Sequence, residues 1–171
     1  MKHYCLYLQK PILVIFKMKS IIRKAVTCFL FLLVNAECFA QDKIIDITKD
    51  RQSADRTIIL NILRSKVKPQ IKQDVTFVVR SLQIKNNYAF FKGNVKYANG
   101  KEIDFRKTVF KDAFEAGMFD GNSIYALWKK VNGKWKYLVH AIGPTDVVYA
   151  CWASIYKAPK ELFDYNENCG N

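Results

Sequence analysis

The strongest local constraint in this chain is the dipeptide Asn132-Gly133, set between two apolar segments, residues 124–130 and 135–142. A two-residue type I′ turn demands positive φ at both central positions, which asparagine and glycine tolerate, so the pair predicts a tight antiparallel hairpin. Both faces of the hairpin are apolar, because Ile124, Ala126 and Trp128 alternate with Tyr125 and Leu127. Strands of that kind need cover on both sides, or they frame a cavity. Just beyond, Gly143-Pro144-Thr145-Asp146 marks a corner. Val148, Trp152 and Ile155, with Val147 and Cys151 beside them, then predict a helix capped by Thr145 and closed by Pro159.

The same grammar extends upstream. Ile58 and Ile62, Ile59 and Leu63, and Leu63 and Val67 are spaced by four, the period of one helix face. Ser53 is the expected N-cap, Asp55 sits in the first turn where the helix dipole favours a negative charge, and Pro69 is the expected stop. Residues 75–84 alternate as a strand, Lys85-Asn86-Asn87 is a turn, and residues 88–97 return as a second strand with Gly93 as the expected bulge. Residues 41–51 hold Ile44, Ile45 and Ile47 without a usable period and read as an extended lead-in. Residues 101–122 are too many for a structureless loop in a small domain. Val109, Phe110 and Phe114 predict a short helix there, ended by Gly117. Its large apolar groups, Phe105 through Phe119, are expected to complete the core; the competing reading is a lid over a pocket.

Helix, hairpin, connection, hairpin, helix is the order of an α+β domain. The expected assembly is an N-terminal helix, a roughly four-stranded antiparallel sheet made of two hairpins, and a C-terminal helix, with both helices on one face. The layout resembles cystatin-like and nuclear-transport-factor-like folds, an analogy of element order that settles no function.

Residues 1–40 read as a leader. Lys19, Arg23 and Lys24 precede an apolar run of about ten residues, Ala25 to Val34, which is the order of a secretory signal peptide and too short to span a bilayer. Cys38-Phe39-Ala40 supplies the small residues that precede cleavage, and Met18 is the expected start. Glu37 before Cys38 argues against a lipid anchor. Residues 41–171 then form a single domain of 131 residues, exported to the periplasm or secreted. Of the 28 Lys and Arg and 15 Asp and Glu, six and one fall in the leader, so the remainder carries a net charge of +8. Those lysines are scattered, which argues against nucleic acid as a partner and leaves anionic envelope polymers or headgroups as possible ones. Only Cys151 and Cys169 remain after the leader, an even pair expected to form a disulfide in an oxidising compartment. A reactive Cys151 served by His140 is the alternative.

Phe119-Asp120-Gly121, Ile124-Tyr125-Ala126-Leu127, Asn132-Gly133-Lys134-Trp135, Ile142-Gly143-Pro144-Thr145-Asp146-Val147, Trp152, Tyr156 and Leu162-Phe163 together resemble a family of small exported bacterial proteins of uncharacterised function. The resemblance implies export and a single domain, and brings no catalytic residues. The inventory of reactive groups is short. His140 is the only histidine after the leader, no cysteine or histidine spacing suits a metal, and no glycine-rich phosphate loop occurs, so neither metal nor cofactor is expected.

The leading expectation is a non-catalytic envelope protein that binds a protein or small ligand, inhibitor-like, through aromatic groups among Tyr125, Tyr137, Trp128 and Trp135. The alternative is a small periplasmic enzyme whose pocket gathers His140, Asp146, Asp120 and Trp128. A third possibility is adhesion to anionic surfaces through Lys129, Lys130, Lys134 and Lys136 at the hairpin tip.

Overall fold

Two asparagine-led turns build the sheet. Asn86 and Asn87 both adopt positive φ, 46° and 64°, and join β2 (Val75–Lys85) to β3 (Tyr88–Tyr97). Asn132 and Gly133, at 49° and 73°, do the same for β4 (Ser123–Val131) and β5 (Lys134–Ile142), as the dipeptide predicts. The computed structural model describes residues 43–167 and Cys169. The expected leader, its start at Met18 and its cleavage after Ala40 lie outside the described residues.

A fifth strand corrects the four expected. Residues Ile45–Asp46, here β1, pair with Gln83 and Ile84, and the sheet runs β1-β2-β3-β4-β5 with every neighbour antiparallel. Two residues are too few to show alternation in a sequence. Ile47 is nonetheless buried, and Leu82 N–H reaches back to Thr48 Oγ1 at 2.8 Å.

Helix α1 (Ala54–Ile71) starts where the sequence indicates, with Ser53 Oγ accepting from Arg56 N–H at 3.2 Å. Its end does not. Pro69 lies within the last turn, and the chain leaves the helix only at Lys72, which takes φ 63°. Val67 and Ile71 are buried on either side of the proline, and their burial, worth about 1.5–3 kcal/mol apiece, outweighs the missing backbone donor. Ile59, Leu63, Val67 and Ile71 form the buried stripe, whereas Ile58 is exposed.

α1 packs on one face of the sheet, against Phe91, Val95, Ile124, Ala126 and Trp128. Adjacent residues of the same strands point the other way. Tyr88, Phe90 and Leu127 form a second core with Tyr149, Trp152, Ala153, Leu162 and Phe163. The C-terminal segment therefore covers the face opposite α1, not the same face. It is also less helical than its stripe suggested. Helix α3 is one turn, Trp152–Ile155, preceded by turns in which Ala150 N–H bonds Val147 and Trp152 N–H bonds Tyr149. No helix begins at Thr145. Val148 and Ile155 are exposed, and the contact with Phe90 is made by Tyr149, Trp152 and Phe163, with ring centroids 4.7–6.2 Å away. Cys151 and Cys169 are disulfide-bonded, with Cα atoms 5.5 Å apart, so the tail is stapled to this cover.

The connection between the hairpins holds a 3₁₀ turn, Phe105–Lys107, and helix α2 (Lys111–Glu115), closed by Gly117 at φ 70° as expected. Phe105 is buried and Phe110 and Phe119 pack on the core, while Phe114 and Met118 remain exposed. Asp55 ties α1 to the tip of the second hairpin, accepting from Lys130 Nζ at 3.0 Å and Trp135 Nε1 at 2.8 Å. Burial alone would raise its pKa, but these two donors outweigh burial and hold it below the ordinary carboxylate range. Among the described residues no helix is long and apolar enough to cross a membrane.

Gly93 is not itself the bulged residue. Val79 pairs with Gly93 and Ser81 with Lys92, so the extra residue is Arg80 on the facing strand. Glycine is required at 93 because a Cβ there would strike the Val78 carbonyl and lie 2.6 Å from Phe91 Cζ. Gly93→Ala should cost about 1–3 kcal/mol by overpacking. Urea denaturation checks this, with a lowered midpoint at unchanged slope expected.

Candidate functional site

The polarity of β3 changes along one face. Tyr88 and Phe90 point into the C-terminal cover, and Lys92, Asn94 and Lys96, on the same side, lie beyond its edge. β4 repeats the change: Leu127 is buried, Tyr125 is half-buried at the margin, and Ser123 stands opposite Asn94. Where the cover stops, two adjoining hollows open, of about 330 and 630 Å³. They share Arg80, Tyr125 and Tyr149.

The rim is built by close approach of two loops. Gly143 N–H bonds Ser123 O and Asp120 N–H bonds Gly143 O, each at 2.8 Å, so the Asp120-Gly121 turn and the Gly143-Pro144 corner lie side by side. Gly143 has φ 57°, and a Cβ on it would fall 2.5 Å from the Phe119 ring. The corner Gly143-Pro144-Thr145-Asp146 is thus the wall of the larger hollow and not a helix cap. Tyr125 and Tyr149 line the hollow together, with centroids 5.0 Å apart.

Charges around the hollow are paired unevenly. Lys92 bonds Asp164 at 2.6 Å, and Tyr149 O–H donates to the same carboxylate at 3.0 Å. Asp164 is exposed, and the partial desolvation it does suffer acts to raise its pKa; Lys92 and Tyr149 outweigh that and hold it low. Burial first, then the hydrogen bond to Asp164 and that carboxylate's charge, push the Tyr149 phenol up to about 12, so it stays neutral. Arg80 Nε–H donates to Asn94 Oδ1 at 2.6 Å. The Asn94 amide donates to Asn122 Oδ1, and Asn122 donates to Glu102 at 2.7 Å, which Lys96 pairs in turn. Asp120 and Asp146 line the larger hollow with no hydrogen-bond or ion-pair partner for either carboxylate among the described residues.

The four residues expected to share one pocket are divided. Asp120 and Asp146 meet in the larger hollow. Trp128 is fully enclosed on the α1 side, its indole N–H without a partner among the described residues. His140 stands opposite Ala126, which places it on the α1 face as well. Its Nε2 is 2.9 Å from Gln70 Oε1 and its Nδ1 2.6 Å from Tyr137 Oη, so Nε2–H donates to Gln70 and Tyr137 O–H donates to Nδ1. Strand parity explains the division, because residues two apart share a face and His140 falls on the wrong one. Of the four aromatics proposed for contact, Trp128 and Trp135 are core, Tyr125 reaches the hollow, and Tyr137 bonds His140. At the hairpin tip Lys130 is paired with Asp55 and Lys129 lies over the Tyr88 ring at 4.9 Å; Lys134 and Lys136 are exposed.

Arg80 escaped the sequence reading, though a signal for it exists. The core-facing set on β2 runs Val75, then half-buried Phe77 and Val79, and then Leu82 and Ile84. That change of phase is the trace of an extra residue between positions 79 and 82. Among the described residues, Cys151, Glu167 and Cys169 have metal-ligand proximity, but the two sulfurs are bonded to each other. Comparison of the chain with protein-family models, with curated proteins and with solved structures finds no match.

Burial, with a smaller push from the Lys66 charge, lowers the His140 pKa. The folded state therefore binds fewer protons than the unfolded chain as pH falls past the ordinary histidine value of about 6.5. Stability present above that value should decline below it, before the carboxylates titrate. His140→Gln should flatten this slope between about pH 6.5 and 5 in a series of urea titrations.

Proposed function

We propose that the protein is a non-catalytic, exported envelope protein that acts as a ligand-binding module, and that its site is the hollow between Arg80 and the Asp120–Asp146 rim. One observation carries this reading. The cover on the sheet is apolar and complete over Phe90 and Leu127, then stops, leaving half-buried Tyr125 in a hollow with Asp120 and Asp146, whose carboxylates have no partners among the described residues. A hollow of about 630 Å³ lies within the 300–1,000 Å³ typical of small-molecule sites. Its groups orient and hold a guest through hydrogen bonds and charge; the one phenol among them that donates to a carboxylate, Tyr149 to Asp164, is held neutral by burial and by that same contact.

Export is supported by the disulfide between the two cysteines that follow the leader, and by the order of charged, apolar and small residues within the leader. The resemblance to a family of small exported bacterial proteins agrees with both.

Native mass spectrometry of the mature protein, purified gently from the periplasm of its own cells, tests the reading. The expected result is an oxidised chain beginning at Gln41 with a small molecule bound, lost from Tyr125→Ala. A chain that retains its leader, stays in the cytoplasm and carries nothing would overturn it.

A further inference from the structure

We propose that Arg80 is the anion anchor of this hollow, and that the guest is a small dipolar molecule with a carboxylate at one end and an amine at the other, such as a short peptide. The inference rests on the hollow being a binding site. It begins with the β-bulge. As the extra residue between two paired positions, Arg80 has no partner on β3, and a bulge of this kind interrupts the ladder and turns a side chain in a direction the regular strand would not give it. The geometry also requires glycine at 93.

The arginine so placed is exposed, with one edge tied to the sheet by a hydrogen bond. Its Nε–H donates to Asn94, whose own amide donates to Asn122, whose amide in turn donates to Glu102, the carboxylate that Lys96 pairs. Guanidinium has five N–H donors, and four of them, on the two Nη atoms, have no acceptor among the described residues. Lys92 and Lys96, the cations on the facing stretch of β3, each have a carboxylate within 2.6 Å; Arg80, on β2, has none among the described residues. A planar fork with its outer edges free matches a carboxylate in bidentate geometry.

Across the larger hollow stand Asp120 and Asp146, also unpaired among the described residues. Positive charge on one wall and negative on the other suit a guest carrying both signs, and repel one that carries a single sign at the wrong end. Between the walls Tyr125 and Tyr149 offer ring surface to the guest's carbon skeleton. Tyr149, held neutral, adds no third charge.

Isothermal titration calorimetry with alanyl-alanine, its C-terminal amide and its N-acetyl derivative tests the assignment, with maltotriose as a neutral guest. The free dipeptide should bind, and amidation should weaken it at least about tenfold. Arg80→Ala should cause the same loss, and in that variant acid and amide should bind alike. Arg80→Lys should recover part of the affinity. Asp120→Asn with Asp146→Asn should penalise the free amine and spare the N-acetyl form. Equal binding of acid and amide to the unaltered protein, or indifference to Arg80→Ala, would overturn the proposal. Maltotriose binding that ignores Arg80 would overturn the ligand class and leave the binding reading in place. If none of the four guests binds, or shifts the Tyr125 and Tyr149 NMR signals at millimolar concentration, both fail.

Discussion

The structure depends on one constraint: its central strands are apolar on both faces, so the sheet has to be covered twice. Phe90 and Phe91 on β3, and Leu127 and Trp128 on β4, are sequence neighbours pointing in opposite directions, and all four are 0–1% exposed. α1 meets one half of that requirement with a four-residue stripe that continues through Pro69 to Ile71. The other half falls to a C-terminal segment that is mostly turns, with one helical turn at Trp152–Ile155. Segments so short have little helical stability of their own. The contacts of Tyr149, Trp152 and Phe163 with Phe90, and the Cys151–Cys169 bond, hold this one in place.

The hollow follows from the difference between the two covers. A long helix shields its face along most of the sheet; a short, stapled cover shields only the end near Phe90 and Leu127. The strands compensate by turning polar at the cover's edge, so Lys92, Asn94 and Ser123 can face water. Two loops that approach closely through Gly143 then raise a wall at that edge. Fold and candidate site are therefore one consequence of where the second cover stops.

Much of this was legible where backbone geometry restricts the choice of residue. Asparagine and glycine at positive φ disclosed both hairpins, and Ser53 with Asp55 disclosed the start of α1. The cover was misread because Val148, Trp152 and Ile155 mimic a helical stripe, while the true anchors, Tyr149, Trp152 and Phe163, obey no period. Their spacing is set by the shape of the sheet beneath them. Grouping His140 with Asp146 failed for a related reason. Proximity in sequence across a strand end says nothing about which face a residue takes, and parity put the histidine against Gln70. Arg80 gains its place only from the bulge, which shows in the sequence as a slip of phase that a reading of single strands overlooks.

A stapled cover, independent of the α1 face, frames the hollow. Hydrogen–deuterium exchange of the protein before and after reduction of Cys151–Cys169 tests it most directly. Reduction should raise exchange across residues 147–163 and at Phe90 and Leu127, with α1 and the β2–β3 hairpin turn as protected as before. Equal loss of protection throughout the domain, or no change in the cover, would contradict it.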